Sequence, residues 1–258
     1  MPSRVFDMRI DGKPARAAEG LTVLDVAREA GADIPTLCFL EGLPGYGACR
    51  LCVVELAPQN GSPNARGRIV ASCAHAAAPG LDVRTSTREV DLVRRTVMDL
   101  LLARCPESDE VRRMASRLGV ERSSWVPDAR HDKCVLCGTC VRVCSQVGAC
   151  AISAAGRGPS REVVTPFREP SSSCIGCLSC AKACPTKNIA FEAENGRVRI
   201  WGREFEKVAC PKCGRLGGTR EQIGFYAKRH GWDEAAMSLC DACKRAETAK
   251  TFFGLMRL

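Results

Sequence analysis

The chain contains no apolar run near the roughly 18 residues that a membrane-spanning helix needs. Its first residues, MPSRVFDMRIDGK, lack the apolar core of a secretion signal. These absences predict a soluble, cytoplasmic protein without a membrane span, kept in a reducing compartment. No G-x-G-x-x-G follows a strand, no phosphate-cradling P-loop occurs, and no nucleophile stands at a supportive spacing from a base. Nothing marks a flavin, pterin or nickel site, so no residue is assigned a catalytic role. Histidine is scarce as well, with three in 258 residues. His131, His75 and His230 have no evident partners and are read as exposed loop residues rather than ligands or proton relays.

What the chain has instead is 18 cysteines. CVLCGTCVRVC (134–144) and CIGCLSCAKACP (174–185) each carry the C-x₂-C-x₂-C-x₃-C run of bacterial iron–sulfur ligation. Tight loops with Gly138, Gly176 and Ser179 let three thiolates reach one cluster, and the fourth cysteine lies too far along the following helix, so it ligates the other. The spacing therefore assigns Cys134, Cys137, Cys140 and Cys184 to one [4Fe–4S] centre and Cys174, Cys177, Cys180 and Cys144 to a second. Structural zinc normally uses two C-x₂₋₄-C pairs, and disulfide frameworks belong to secreted chains. One departure from the usual run is Ser145, where Cys184 by contrast is followed by Pro185.

The formal charge of +9 invites a nucleic-acid partner. That count treats every cysteine as neutral, however, and four loaded thiolate sites at about −2 each would bring the protein to about +1. The basic residues then read as compensation for anionic centres, and no nucleic acid is expected.

Along the chain, RVFDMRI (4–10) alternates, Asp11-Gly12 signals a hairpin turn, and a second short strand follows. Thr22 caps a helix with Asp25 in the capping-box position, Val23, Val26, Ala27 and Ala30 lie on one face, and Gly31 stops it. This order suggests a β-grasp fold. Cys38, Cys49 and Cys52, spaced C-x₁₀-C-x₂-C, and then Cys73, approach the plant-type pattern that holds a [2Fe–2S] cluster. Gly42, Gly45, Gly47 and Ala48 leave room for backbone to wrap an inorganic core. LCVVELA (51–57) and RIVAS (68–72) read as strands that place Cys52 and Cys73, with the polar segment 58–67 as a loop between them.

CFLEGLPGYGACRLCVVEL, followed by two ferredoxin motifs, resembles the N-terminal part of the complex I large iron–sulfur subunit. It is similar also to the small diaphorase subunit of bidirectional NiFe hydrogenases and to accessory domains of iron-only hydrogenases. The resemblance covers about residues 4–200 and implies a relay that passes electrons between an NAD(P)H/flavin-binding subunit and a distant redox site. It also implies a further [4Fe–4S] cluster, held by one His and three Cys, in the helices after the β-grasp domain. TREVDLVRRTVMDLLLARC (87–105) and PESDEVRRMASRLG (106–119) offer only Cys105, so that cluster is expected to be missing and Cys105 to be a buried thiol. Residues 120–133 read as a connector.

Cys150 is surplus to both ferredoxin sets and is expected in a small-residue packing position. Residues 154–173 read as a decorating loop, and Asn195-Gly196 as the turn of a closing hairpin. Cys210, Cys213, Cys240 and Cys243 form two C-x₂-C knuckles that suit one zinc ion, or alternatively a further Fe–S cluster. Between them Thr219 and Gln222 make a capping box for a helix that runs to His230 and stops at Gly231. The apolar end, TFFGLMRL, offers Phe252, Phe253, Leu255 and Met256 for docking or for a partner.

The fold class expected is α+β. Residues 1–86 form a β-grasp [2Fe–2S] ferredoxin domain, 87–128 a helical linker, 129–200 a two-cluster ferredoxin-like domain, and 201–258 a zinc-ribbon-like domain with a four-cysteine metal site. The cofactors expected are one [2Fe–2S], two [4Fe–4S] and one Zn. The function implied is that of a non-catalytic electron-transfer subunit joining an NAD(P)H/flavin-binding iron–sulfur subunit to a low-potential catalytic subunit such as a hydrogenase or formate dehydrogenase. The alternative is an iron–sulfur redox sensor or scaffold whose C-terminal knuckles bind a macromolecule.

Overall fold

The computed structural model describes residues 4–58, 66–127 and 133–255, the last five by backbone alone. The chain forms two compact units, Met1–Thr139 with Cys184–Asn188, and Cys140–Ala183 with Ile189–Leu258. Both α-helix and β-sheet are present, and among the described residues no helix is long and apolar enough to cross a membrane.

In the first unit, β1 (Val5–Ile10) and β2 (Lys13–Ala18) pair antiparallel, in register from Val5 with Ala18 to Ile10 with Lys13. Asp11 and Gly12 connect them at φ 49° and 77°, the pair of left-handed residues that a type I′ turn requires. Helix α1 (Val23–Glu29) begins at a complete capping box: the Asp25 N–H donates to the Thr22 hydroxyl, and the Thr22 N–H donates to the Asp25 carboxylate. The helix buries Val23, Leu24, Val26 and Ala27. Ala30, expected on that face, is instead the exposed C-cap, and Leu24 supplies the missing contact further up the helix.

β3 (Val53–Leu56), β4 (Arg68–Ala71) and β5 (Asp82–Arg84) complete a sheet of order β2-β1-β5-β3-β4. β5 runs parallel to β1 and antiparallel to β3. Three residues are too few to display alternation, which is why that strand does not stand out in the sequence. The core under α1 holds Met8, Ile10, Val54, Leu81 and Val83, each such buried aliphatic being worth about 1.5–3 kcal/mol. Helices α2 (Arg88–Arg104) and α3 (Asp109–Arg117) follow, their first turns capped by the hydroxyls of Thr87 and Ser108. A second core forms against them from Leu37, Leu51, Met98, Leu102, Val111 and Val135.

The other ferredoxin elements are α4 (Thr139–Val147), β6 (Ser153–Ala155), β7 (Glu162–Val164) and α5 (Ser179–Lys182). β6 and β7 pair antiparallel, so 154–173 is not the plain loop that its composition suggests. Val163 and Val164 favour extended backbone there, and Gly158–Ser160 makes a 3₁₀ turn between the strands. β8 (Glu192–Glu194), β9 (Arg197–Ile200), β10 (Arg203–Ala209) and β11 (Leu216–Thr219) form a sheet of order β11-β10-β9-β8. Asn195-Gly196 turns at φ 50° and 77°, and Trp201-Gly202 repeats the same turn at 52° and 72°. The sheet therefore continues past residue 200. Phe205, Val198 and Ile200 bury its inner face.

Helix α6 (Arg220–His230) starts where the Gln222 N–H donates to the Thr219 hydroxyl and ends at Gly231, φ 67°. α7 (Glu234–Ser238) and α8 (Asp241–Leu255) follow.

Candidate metal centres

Cys38 lies in the loop after α1, Cys49 and Cys52 lead into β3, and Cys73 sits in the 3₁₀ turn Ser72–Ala74 that ends β4. None of the four is more than 6% exposed. The Cys49 N–H donates to the Cys38 sulfur at 3.4 Å, and the Cys52 and Cys73 sulfurs lie 3.3 Å apart. Hydrogen bonds from the thiols of Cys49 and then Cys73 hold Cys38 down at about 2. The Cys73 thiol likewise draws Cys52 down to about 6. Cys49 and Cys73 are pushed up by what they donate, chiefly to Cys38. Four buried sulfurs thus share their protons around two thiolates, a donor set that fits a cationic core and would give up its remaining protons on loading. A Cβ at Gly45 would run into the Cys73 carbonyl, so the loop closes on this set only with glycine there.

The two ferredoxin loops repeat one backbone with their residues exchanged. Leu136 and Gly138 are left-handed at φ 49° and 69° in the first, Gly176 and Leu178 at 65° and 60° in the second. Such alternation turns successive N–H groups inward, as a cluster made anionic by its thiolates requires. A Cβ at Gly176 would stand 2.6 Å from the Phe205 ring.

In the second unit Cys144, Cys174, Cys177 and Cys180 line one pocket together with Ile152, Ile200 and Trp201. The Ala151 N–H donates to the Cys144 sulfur at 3.2 Å, and the Trp201 indole N–H to the Cys180 sulfur at 3.5 Å. Cys134 and Cys137 belong to the first unit, as does Cys184–Asn188, where the Asn188 N–H donates to the Cys184 sulfur at 3.3 Å. Cys140, which the spacing assigns with Cys134, Cys137 and Cys184, instead belongs to the second unit, in the core that holds Cys144, Cys174 and Cys180. Burial pushes up Cys134 and Cys137 in the first unit, and Cys144, Cys174 and Cys180 in the second.

Within the first unit the [2Fe–2S]-type loop and the first ferredoxin loop share a core. Cys38, Cys49, Leu51 and Cys137 pack in one buried cluster with Met98 and Leu102 of α2. The Thr139 hydroxyl donates to the Cys38 carbonyl at 3.5 Å. A Cβ on Gly138 would lie 3.3 Å from the Tyr46 ring, so Tyr46 packs on the loop's glycine.

Cys105 caps α2 at 0% exposure among Met98, Leu102, Val111 and Ala115, the buried position expected of it. α2 also places two basic groups that the motif spacing does not reveal. Arg94 is 6% exposed and donates to the carbonyls of Leu51 at 3.2 Å and Val53 at 2.8 Å, either side of Cys52. Arg104 donates from Nε to the Cys134 carbonyl at 3.0 Å, and its buried Nη2 has no hydrogen-bond partner among the described residues. A signal for Arg94 does exist in the sequence: Val90, Arg94, Met98 and Leu102, at a spacing of four residues, put a charge on the helix's apolar stripe.

The sulfurs of Cys210, Cys213, Cys240 and Cys243 all lie within 4.8 Å of one another. Among the described residues this is the one such group of potential metal ligands. Bonds of about 2.3 Å to a single tetrahedral zinc place sulfurs about 3.8 Å apart, and Cys213 and Cys240 stand at 3.5 Å. The backbone N–H of Cys240 draws Cys210 down to about 6, and that of Cys243 lowers Cys240. Cys243, bonded to Cys240, is pushed up to about 12.

Cys150 departs from expectation. It is exposed, at φ 48°, with its sulfur 3.9 Å from the Ser145 hydroxyl, and Ala149 and Ala151 take the cavity-lining places on either side. His75 is half-buried and lowered by burial, not fully exposed. His230 is exposed but stacks on Trp232, ring centroids 4.4 Å apart. His131 and the side chains of Phe252, Phe253, Leu255 and Met256 lie outside the described residues.

Residues 3–88 match a family described as a 2Fe-2S iron-sulfur cluster binding domain, and residues 171–190 one described as a 4Fe-4S binding domain. The chain is 30% identical to a subunit of an NADH-quinone oxidoreductase of Rhizobium meliloti (strain 1021), over 89% of this chain and 29% of that protein. It is 31% identical to NADP-reducing hydrogenase subunit HndD of Solidesulfovibrio fructosivorans, over 70% of this chain and 35% of that one. A chain in the crystal structure of an NAD⁺-reducing [NiFe]-hydrogenase in the H₂-reduced state superposes with a TM-score of 0.60 at 29% identity, covering 70% of this chain and 85% of that chain. The chain thus spans only about a third of the length of the two curated relatives. Its homologues are subunits of an NADH-quinone oxidoreductase and of NAD(P)-reducing hydrogenases.

Proposed function

We propose that the chain is an electron-transfer subunit of a multi-subunit NAD(P)-linked oxidoreductase, joining an NAD(P)H/flavin-binding subunit to a low-potential catalytic subunit such as a hydrogenase. Cys38, Cys49, Cys52 and Cys73 would hold a [2Fe–2S] cluster in a β-grasp domain, a reading supported by the sheet order β2-β1-β5-β3-β4 with α1 packed on it. Cys134, Cys137, Cys140 and Cys184 would hold one [4Fe–4S] cluster, and Cys174, Cys177, Cys180 and Cys144 the other. Cys210, Cys213, Cys240 and Cys243 would hold zinc, because sulfurs so close together suit one ion better than the wider span of a cubane. Bound clusters supply one-electron oxidation and reduction.

The observation that carries this reading is the core shared by Cys38, Cys49 and Cys137. It joins the [2Fe–2S]-type loop to the first ferredoxin loop by direct packing, with Cys105 as the one further cysteine in that core. The residues supply what an electron conductor needs: rigid thiolate cages, N–H···S bonds that lower the cost of added charge, and exclusion of water by apolar side chains. The relatives are named for an NADH-quinone oxidoreductase and for NAD(P)-reducing hydrogenases, which supports the choice of partners.

Anaerobically purified protein should contain about 10 Fe and one Zn per chain, and its iron should be reduced by NAD(P)H only when a flavoprotein subunit is added. About 14 Fe without zinc would overturn the C-terminal assignment. Isolation as a DNA-binding monomer, with no exchange of electrons with a flavoprotein, would overturn the relay.

A further inference from the structure

Helix α2 brings one guanidinium to each of two cysteine sets, buried at Arg94 and half-buried at Arg104. Arg94 holds the carbonyls of Leu51 and Val53, which flank Cys52, and among the described residues it forms no ion pair with a carboxylate. Arg104 holds the carbonyl of Cys134 and leaves Nη2 buried without a hydrogen-bond partner among the described residues. Burying a cation is expensive, and burial does lower Arg94 below the usual arginine range. Nearby negative charge offsets part of the cost: Asp91 and then Cys52 attract the Arg94 charge, and Arg104 lies close enough to act electrostatically on Cys134.

We propose that Arg94 and Arg104 are positioning residues that set the reduction potentials of the neighbouring cluster sites, one guanidinium for the [2Fe–2S] set and the other for the [4Fe–4S] set that includes Cys134. The inference rests on the ligand assignments proposed above. Reduction adds one negative charge to a site that is already anionic, so a fixed cation beside it favours the reduced form and raises the potential. The two arginines are ten residues apart, about 15 Å along the helix axis. Because Coulomb energy falls with distance, each acts mainly on its own site.

The test is an anaerobic redox titration of the full-chain holoprotein followed by electron paramagnetic resonance. Arg94→Gln should lower the [2Fe–2S] midpoint by at least tenfold in the one-electron equilibrium constant, about 59 mV, and leave the [4Fe–4S] midpoints in place. Arg104→Gln should do the converse, and Arg94→Lys and Arg104→Lys, which keep the charge, should stay near the parent protein. Unmoved midpoints in the Gln variants, a Lys shift as large as the Gln shift, or equal movement of all centres would each overturn the proposal. If the Gln variants lose their clusters, the Lys variants decide. Retention at the parent potential upholds the role of charge, and cluster loss in them too assigns the arginines to hydrogen-bonded scaffolding alone. Parent protein without a [2Fe–2S] signal would instead defeat the ligand assignment itself.

Discussion

The cysteines of the N-terminal sheet and those of the C-terminal knuckles are built on opposite plans. Cys52 and Cys73 belong to the same hydrophobic core as Val23, Leu24 and Val83, so their site and their domain share one foundation. At the C-terminus Cys213 is exposed, Cys243 half-buried, and the four sulfurs converge between a turn and the start of α8. Burial makes the first site rigid and slow to exchange, and makes its loss structural. Convergence on a single point makes the second a clamp that closes when an ion is present. A conductor needs the first plan for its redox centres, since water and motion raise the cost of moving charge; a structural ion needs only the second.

The largest effect should come from removing one ligand on each side. Cys52→Ala should eliminate the [2Fe–2S] signal, about 2 Fe per chain, and lower the thermal midpoint of the first unit. Cys213→Ala should remove the zinc and leave every iron signal intact. Metal analysis with paramagnetic resonance checks both, and loss of iron in Cys213→Ala would erase the contrast between the two plans.

A good part of this arrangement is legible in the residues. Thiolate spacing is dictated by the size of an iron–sulfur core, so the second ferredoxin run, within the residues 171–190 that match a 4Fe-4S binding domain, is readable in the sequence. The Thr22–Asp25 box and the turns at Asp11-Gly12 and Asn195-Gly196 are equally readable, because local chemistry decides them. Three features are not. β5 is a three-residue strand whose place comes from partners far along the chain. The Trp201-Gly202 turn carries the sheet beyond residue 200, because nothing in a strand's own pattern says which sheet it joins. Cys150 points outward because a left-handed backbone at that position, and not its affinity for the core, sets its direction.

A smaller effect in the apoprotein should sharpen the comparison through pH, most clearly at the acid end. Cys210 is held at about 6, below the roughly 8.5 of a free thiol. Its stabilising contribution is full above the free-thiol value and disappears as pH falls through about 6. The thiols of Cys134, Cys174 and Cys180 are raised by burial, so they favour the fold below about 8.5 and withdraw that support as pH rises through their folded values. Acid should therefore loosen the knuckles first, through Cys210, whereas alkali should loosen the ferredoxin loops and also the knuckles, where the Cys243 thiol is raised to about 12. Hydrogen exchange of metal-free protein from about pH 5 to about pH 10, a range that brackets both sets of thiols, would separate the two, and parallel slopes would show that one plan serves both.

The smallest effect tests whether burial alone makes a cysteine a ligand. Cys105 is as buried as Cys52, at 0% exposure, and packs in the same core as Cys137. What separates it is its position as the C-cap of α2, where its N–H donates to the Leu101 carbonyl and its own carbonyl accepts from the Ser108 N–H. It belongs to the buried cluster that holds Met98, Leu102, Val111 and Ala115. Cys105→Ala should cost about 1 kcal/mol, a typical figure for a small truncation in a core, and leave iron content and every cluster signal unchanged. Loss of iron with so slight a change in stability would place Cys105 among the ligands, and burial in this chain would then no longer distinguish a structural thiol from a metal-binding one.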